Sequence, residues 1–221
     1  MIINFELILE SIPALLRGTQ LTLIIACGGC IIGFLLGTVL GIIQARVKGI
    51  PGTLVQVFTN ILRGTPMLMQ IIFMYYLLPA IGSKMSAVAV AIVAIGINSA
   101  AYISQVIRSG IMSVGEGQIE AAKVLGLDRL QTLWYIILPQ ALRVVVPALG
   151  NELATLIKDS SLASTIGVME LFKEGRSITY ETLDAISILF AVGVMYLLLT
   201  GTVSIIMHYV EQRMNRISDE R

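Results

Sequence analysis

Three stretches of this chain carry no Asp, Glu, Lys, Arg or His and are each long enough to cross a lipid bilayer: Gly18 to Ala45, Met85 to Ile107 and Ala185 to Met207. About 20 apolar residues in a helix cover a hydrocarbon core of about 30 Å. Lipid offers the backbone no hydrogen bonds, so only helices or closed barrels satisfy it there. Unbroken runs, rather than alternating ones, predict helices. A fourth run, Gly64 to Ser83, spans if Arg63 stands at its cytoplasmic end, and a fifth, Val144 to Ile157, is short and contains Glu152. The expectation is an all-α membrane protein with five spans. Charged residues make up 13% of the chain, against about 25% in soluble domains, and mean hydropathy is +0.87.

Basic residues set the orientation, because they accumulate on the cytoplasmic side. With the N-terminus outside, Arg46, Lys48, Arg63, Arg108, Lys123, Arg129, Arg143, Arg213, Arg216 and Arg221 fall inside, while Arg17, Lys84, Lys158, Lys173 and Arg176 fall outside. This predicts N-out, C-in, with the polar stretch around Glu120 to Pro139 in the cytosol. Residues 1–20 lack a basic start and carry Glu6 and Glu10, which makes a poor signal peptide. Their apolar positions predict a short interfacial helix on the outer side. Residues 21–208 then form the transmembrane domain, with a cytoplasmic loop over 113–139, and 209–221 form a cytoplasmic tail. The net charge of +1 and the lack of aromatic–basic interleaving give no sign of nucleic-acid binding.

Several features point to packing. Gly29, Gly33, Gly37 and Gly41 recur every fourth residue, so they share a helix face on which backbones can approach closely in lipid. Cys27-Gly28-Gly29-Cys30 has the form of a redox or metal motif, but it lies in an uncharged run without further ligands, so small-residue packing is the expectation and no metal is predicted. Pro66 of Arg63-Gly64-Thr65-Pro66 fits a first helical turn, with Arg63 as an interfacial anchor.

Other features point to chemistry. A carboxylate inside a span is costly unless it meets a partner, water or a ligand. Glu152 sits in a short segment after Pro139 and Pro147, the kind of interrupted segment where transporters build sites. It is a candidate for binding an ammonium or guanidinium group, the alternative being a structural pair with Lys158 or Arg143. The polar residues Asn98, Ser99, Tyr102 and Gln105 of the third run carry a similar argument; Asn98, Tyr102 and Gln105 share one helix face, and either bond to neighbouring helices or line a water-filled path. Asn98 and Tyr102 are therefore candidate substrate contacts, with Gln70 and Tyr75 weaker ones of the same kind. In the loop, Gly115, Gly117 and Gly126 divide Ser113 to Pro139 into helical pieces, and Asp128 is a plausible N-cap. Leu127, Leu130 and Leu133 would then be offered to a groove on a soluble partner.

The spacing Glu120-Ala121-Ala122, three residues, Gly126, nine residues, Ile136-Ile137-Leu138-Pro139 resembles the EAA loop of ABC-importer permeases with the metI-like fold. Leu21-Thr22-Leu23, Arg63-Gly64-Thr65-Pro66, Ala101-Tyr102-Ile103-Ser104, Asn151-Glu152 and Leu156 to Leu162 narrow the resemblance to the polar amino-acid branch. It implies a permease paired with a second, identical or homologous permease. Two ABC ATPase subunits carrying ATP and Mg would bind below, and an extracytoplasmic solute-binding protein would deliver an amino acid above, in a bacterial inner membrane. It assigns ATPase coupling to Glu120, Ala121, Ala122, Gly126, Leu127, Asp128 and Leu130, and it matches Glu152 to an acidic residue that binds substrate in some relatives. Gln105 and Ser109 depart from the pattern, where Glu and Gly are frequent. No phosphate-binding Gly-x-x-x-x-Gly-Lys-Ser/Thr loop is present, so ATP hydrolysis falls to another chain and no cofactor is expected on this one. The rival reading is a self-powered secondary transporter or channel, which one membrane acid supports thinly.

Overall fold

The computed structural model describes residues 3–219 as an all-helical chain. Helix α1 (Phe5–Arg46) starts at Asn4, whose side chain accepts from the Leu7 amide. Its 42 residues extend about 63 Å at 1.5 Å each, twice the hydrocarbon thickness. The separate interfacial helix expected over residues 1–20 is therefore not separate. Packing decides this: Leu15 is fully buried with Leu171 and Ile188, and Gly18 lies so close to the backbone of Leu171 that a Cβ would stand 2.8 Å from its Cα. The early turns of α1 are thus fixed to the far end of the chain.

Helices α2 (Ile50–Gly64) and α3 (Met67–Ala80) meet at a bend of 104°. Thr65 is extended and Pro66, lacking a donor, opens the next helix. The 14 residues of α3 reach only about 21 Å, so the span expected over Gly64 to Ser83 exists only as this bent pair. Helix α4 (Ala87–Met112) is the most buried. After it come α5 (Glu116–Val124), α6 (Arg129–Thr132), a π-helical turn (Leu133–Ile137), α7 (Leu138–Asp159), a 3-10 segment (Ser160–Ile166), α8 (Leu171–Thr182) and α9 (Ala185–Asp219). The short run Val144 to Ile157 proves to lie inside a continuous helical stretch from Arg129 to Ile166. Its ladder widens at Leu133–Ile137, just before Pro139 removes a donor. Among the described residues, four helices are long and apolar enough to cross a membrane, and the bent pair, counted as one span, makes five. Of the predicted tail, residues 220–221, including Arg221, lie outside the described residues.

The centre of the molecule is the α1–α4 seam. A Cβ on Gly37 would stand 2.8 Å from the Ala100 carbonyl oxygen, and one on Gly41 would stand 2.6 Å from that of Ser104. Gly29 and Gly33 abut Ile95 and Ser99 in the same way. The every-fourth-residue glycines are therefore a contact within the subunit, where two backbones nearly touch. The main core gathers Ile25 and Ala26 of α1, Ile71 of α3, Ala91 to Ile95 of α4, and Leu156 and Ile157 of α7 around the 3-10 segment.

Candidate translocation site and coupling loop

Two sides of α4 hold different polar groups. On one side, Asn98 Nδ2 donates to Gln70 Oε1 at 3.0 Å and to the Leu62 carbonyl at 3.3 Å. Gln70 Nε2 donates to Leu62 O at 2.7 Å and to Thr65 Oγ1 at 2.8 Å. Leu62 is one of the residues that lose helical partners at the α2–α3 bend, so these two amides complete the backbone of a broken span. One turn further, Gln105 donates to Gln44 Oε1 at 2.9 Å, and Gln44 donates to Thr59 Oγ1 at 3.0 Å. This second network ties α1, α2 and α4 together. Tyr102 is 40% exposed, and the Arg63 guanidinium lies 5.4 Å from the centre of its ring.

On the other side, Ser99 faces α1 and α7. Its hydroxyl donates to Glu152 Oε1 at 2.7 Å. A carboxylate can accept about four hydrogen bonds, and among the described residues Ser99 is the donor that reaches Glu152. The acid is half-buried within the α7 stretch. The candidates Glu152, Asn98, Tyr102 and Gln70 thus do not converge on one point. Asn98 and Gln70 are spent on the bend, Tyr102 stacks beneath Arg63, and Glu152 keeps unused acceptor capacity on the opposite side. The sequence marks Ser99 as a polar residue of this span but not as the partner of Glu152. Nothing in a sequence distance of 53 residues marks the pair, although Ser99 was visible as a hydroxyl next to Asn98. Cys27 and Cys30 are free thiols, and no metal-ligand cluster occurs among the described residues.

The loop's geometry accounts for its spacing. Helix α5 ends in two reversed bonds, Leu127 N–H to the Ala122 carbonyl and Gly126 N–H to the Lys123 carbonyl, both 3.0 Å. Such an ending needs a left-handed residue, and Gly126 supplies it with φ +77°. Ala122, 2% exposed, must be small. Asp128 then starts α6: its carboxylate accepts from the Leu130 and Gln131 amides at 2.8 Å, and Gln131 Oε1 returns a bond to the Asp128 amide at 2.9 Å. The predicted N-cap is present. Glu120, Ala121 and Leu130 are exposed. Leu127 is half-buried, because the second residue after such a helix end packs back on it. Val124 and Leu125 stand out further instead, at 88% and 79% exposed.

The family described as "binding-protein-dependent transport system inner membrane component" matches residues 33–216. The chain belongs to that family. It is 37% identical to the glutamine transport system permease protein GlnP of Escherichia coli K12, over 96% of this chain and 97% of that one. It is 36% identical to the L-cystine transport system permease protein TcyB of Bacillus subtilis, over 84% and 82% of the two chains. Among solved structures, the crystal structure of an amino acid ABC transporter with histidines superposes with TM-score 0.88 at 30% identity, covering 96% of this chain and 100% of that one. The inward-facing MetNI methionine ABC transporter reaches 0.78 at 22% identity, covering 91% and 96%, and speaks for the fold alone. The metI-like fold expected from the resemblance is the fold found, and the chain is a multi-pass inner-membrane permease.

Proposed function

We propose that this permease serves an ATP-driven importer of polar amino acids, with Glu152 as its substrate contact and the α5–α6 loop as its ATPase contact. The observation that carries the substrate reading is a membrane carboxylate held by one serine hydroxyl. A buried charge left this incompletely solvated is costly unless a cation completes it, and every amino acid brings an α-ammonium. Glutamine, cystine and nopaline permeases align at similar identities, which fits recognition of shared rather than side-chain chemistry. A cationic side chain would gain slightly more from Glu152. Tyr102 with Arg63 lies on the other side of α4 from Glu152 and is left out of this contact, while Asn98 and Gln70 hold the α2–α3 bend.

The ATPase reading rests on the loop. Val124, Leu125 and Leu130 form an exposed apolar tip on two capped short helices, a shape suited to a groove on a soluble partner. ATP and Mg belong to that partner. A second permease would cover the apolar face of α3, where Met69, Phe73 and Tyr76 are exposed at one-turn spacing, and a solute-binding protein would dock on the outer side. The topology is N-out, C-in, as the basic residues indicate.

The test is amino-acid-stimulated ATP hydrolysis by the chain reconstituted with its ATPase and binding protein. One chemical group of amino acids should stimulate, and Glu152→Gln should reduce stimulation at least about tenfold while the complex still assembles. Unchanged stimulation in that variant removes Glu152 from the site. Proton- or sodium-driven uptake without an ATPase would establish the secondary-transporter reading instead.

A further inference from the structure

A cavity of about 820 Å³ opens between the ends of α1 and α4 and the start of the Arg129–Ile166 helix, within the size range of ligand sites, about 300–1,000 Å³. Its lining is ordered by polarity. Ile42, Ile107, Ile111 and Leu142 form the apolar part, and Arg46, Lys123 and Arg129 stand at the loop end. These three cations are exposed and come from the last residue of α1, the last turn of α5 and the first residue of α6. Among the described residues, no acidic side chain lines the cavity. The Asp128 carboxylate nearby is already occupied as a cap. Thr38 also lines it, and its hydroxyl is buried without a hydrogen-bond partner among the described residues, an omission that native proteins rarely leave uncompensated.

We propose that this cavity binds one anionic phospholipid from the cytoplasmic leaflet. The phosphate sits among Arg46, Lys123 and Arg129, and an acyl chain lies along Ile42, Ile107, Ile111 and Leu142. An ester carbonyl supplies the acceptor that Thr38 lacks. Charge complementarity selects a lipid with a negative head over a zwitterionic one, because basic pockets between membrane helices on the cytoplasmic side hold anionic head groups. Trp134 lines the cavity and Tyr135 follows it, a pair suited to the membrane–water boundary. The lipid would brace the α5–α6 loop from beneath, opposite the tip formed by Val124, Leu125 and Leu130. This inference rests on the proposed topology, which puts the loop in the cytosol.

Trp134 is the chain's single tryptophan and lines this cavity, so tryptophan fluorescence reports from the cavity's edge and the phosphatidylcholine titration sets the background from surrounding lipid. The full chain in phosphatidylcholine vesicles is titrated with phosphatidylglycerol or with phosphatidylcholine, each brominated on one acyl chain. Phosphatidylglycerol should quench at a mole fraction at least about tenfold lower. A combined R46Q/K123Q/R129Q variant should lose that preference, whereas Lys48→Gln, at the same end but outside the cavity, should keep it. Should the triple variant fail to fold by circular dichroism, Lys123→Gln alone should lower the preference about fivefold. Equal quenching by the two lipids, a preference that survives removal of the cavity's cations, or one that disappears with Lys48 would overturn the proposal. The measurement uses neither ATPase nor amino acid, so its outcome is separate from that of the importer reading.

Discussion

Replacing Gly41 with Ala tests whether the α1–α4 seam is a backbone contact. The added Cβ would lie 2.6 Å from the Ser104 carbonyl oxygen and 2.7 Å from Ile107 Cβ. Neither atom can rotate away, so α1 must withdraw by about 0.8 Å to restore a contact of about 3.4 Å. A gap of about 0.5–1 Å forfeits a quarter to a half of each dispersion contact along the face, and overpacking of this sort costs about 1–3 kcal/mol. Alanine's better helix propensity returns at most about 1 kcal/mol. The net expectation is a loss of about 1–2 kcal/mol. Gly37→Ala meets the Ala100 carbonyl at 2.8 Å and should cost about the same. Once α1 has withdrawn for one alanine, however, the second meets little resistance. The double variant should therefore fall short of the sum by at least about 0.5 kcal/mol, the coupling expected of neighbours that share one displacement. Gly201→Ala on α9, with open space around the new Cβ, is the control and should gain about 0.5–1 kcal/mol. The assay is equilibrium unfolding in mixed dodecylmaltoside–SDS micelles, followed by far-ultraviolet circular dichroism. If Gly41→Ala unfolds no earlier than Gly201→Ala, the seam is looser than its geometry states and the reasoning fails.

Other substitutions address the bend, the loop, the acid and the outer cap. Gln70→Leu strips the Leu62 carbonyl and Asn98 of a partner and should destabilise by about 1–3 kcal/mol, with Asn98→Leu adding less than its own single cost; additive losses in the same micelle assay would show the two amides act independently. Asp128→Ala should cost about 1 kcal/mol, read as about fivefold faster hydrogen exchange at the Leu130 and Gln131 amides. Gly33→Ala would place its Cβ 2.7 Å from Ser99 Oγ, so if Glu152 holds substrate both it and Ser99→Ala should impair amino-acid-stimulated ATP hydrolysis, with no further loss when the two are combined. Glu170 is fully buried between α8 and α9, accepting from the Phe172 and Lys173 amides and from Tyr196. Burial pushes its carboxyl above the usual range despite those bonds. A native state that holds the proton more tightly than the unfolded chain gains stability as pH falls through the raised value. Relative to Glu170→Gln, the wild type should therefore become more stable as pH falls toward the ordinary carboxylate range, and a difference that stays flat or shrinks would contradict the direction of the shift.

What could be read in the sequence were the residues that share a face; what could not be read was what each face meets. The glycine register announced a close helix contact, but only the fold names α4 as the second backbone, because that contact joins residues about 60 positions apart. The same limit applies to Asn98, Tyr102 and Gln105. Their shared face was legible, yet two of them complete polar networks around the bend, and the bend itself depends on how α2 turns against α4. Glu152 stood out as a charge that lipid penalises and Ser99 as a polar residue of its span, but nothing in the sequence pairs them across 53 positions. The loop was the most legible part. Its signals are local: a left-handed glycine four residues after a small buried alanine, then a capping aspartate, all formed by neighbours within ten residues.

These local and distant features meet in one element. The loop's second helix does not end before the membrane but continues through the π-helical turn into α7, so Asp128 and Glu152 belong to one helical stretch. At 1.5 Å per residue, Leu130 and Glu152 are about 33 Å apart along it. On the proposed reading, a force applied by an ATPase at Leu130 needs no chain of side chains to reach the carboxylate. It has a lever whose weakest point is Leu133–Ile137, where the hydrogen-bond ladder is already widened. Motion at the loop then divides between bending at that turn and displacement of Glu152 against Ser99. A rigid turn sends more of it to Glu152. Stiffening the turn should thus tighten the link between ATP hydrolysis and amino-acid release, and loosening it should leave hydrolysis running with transport uncoupled.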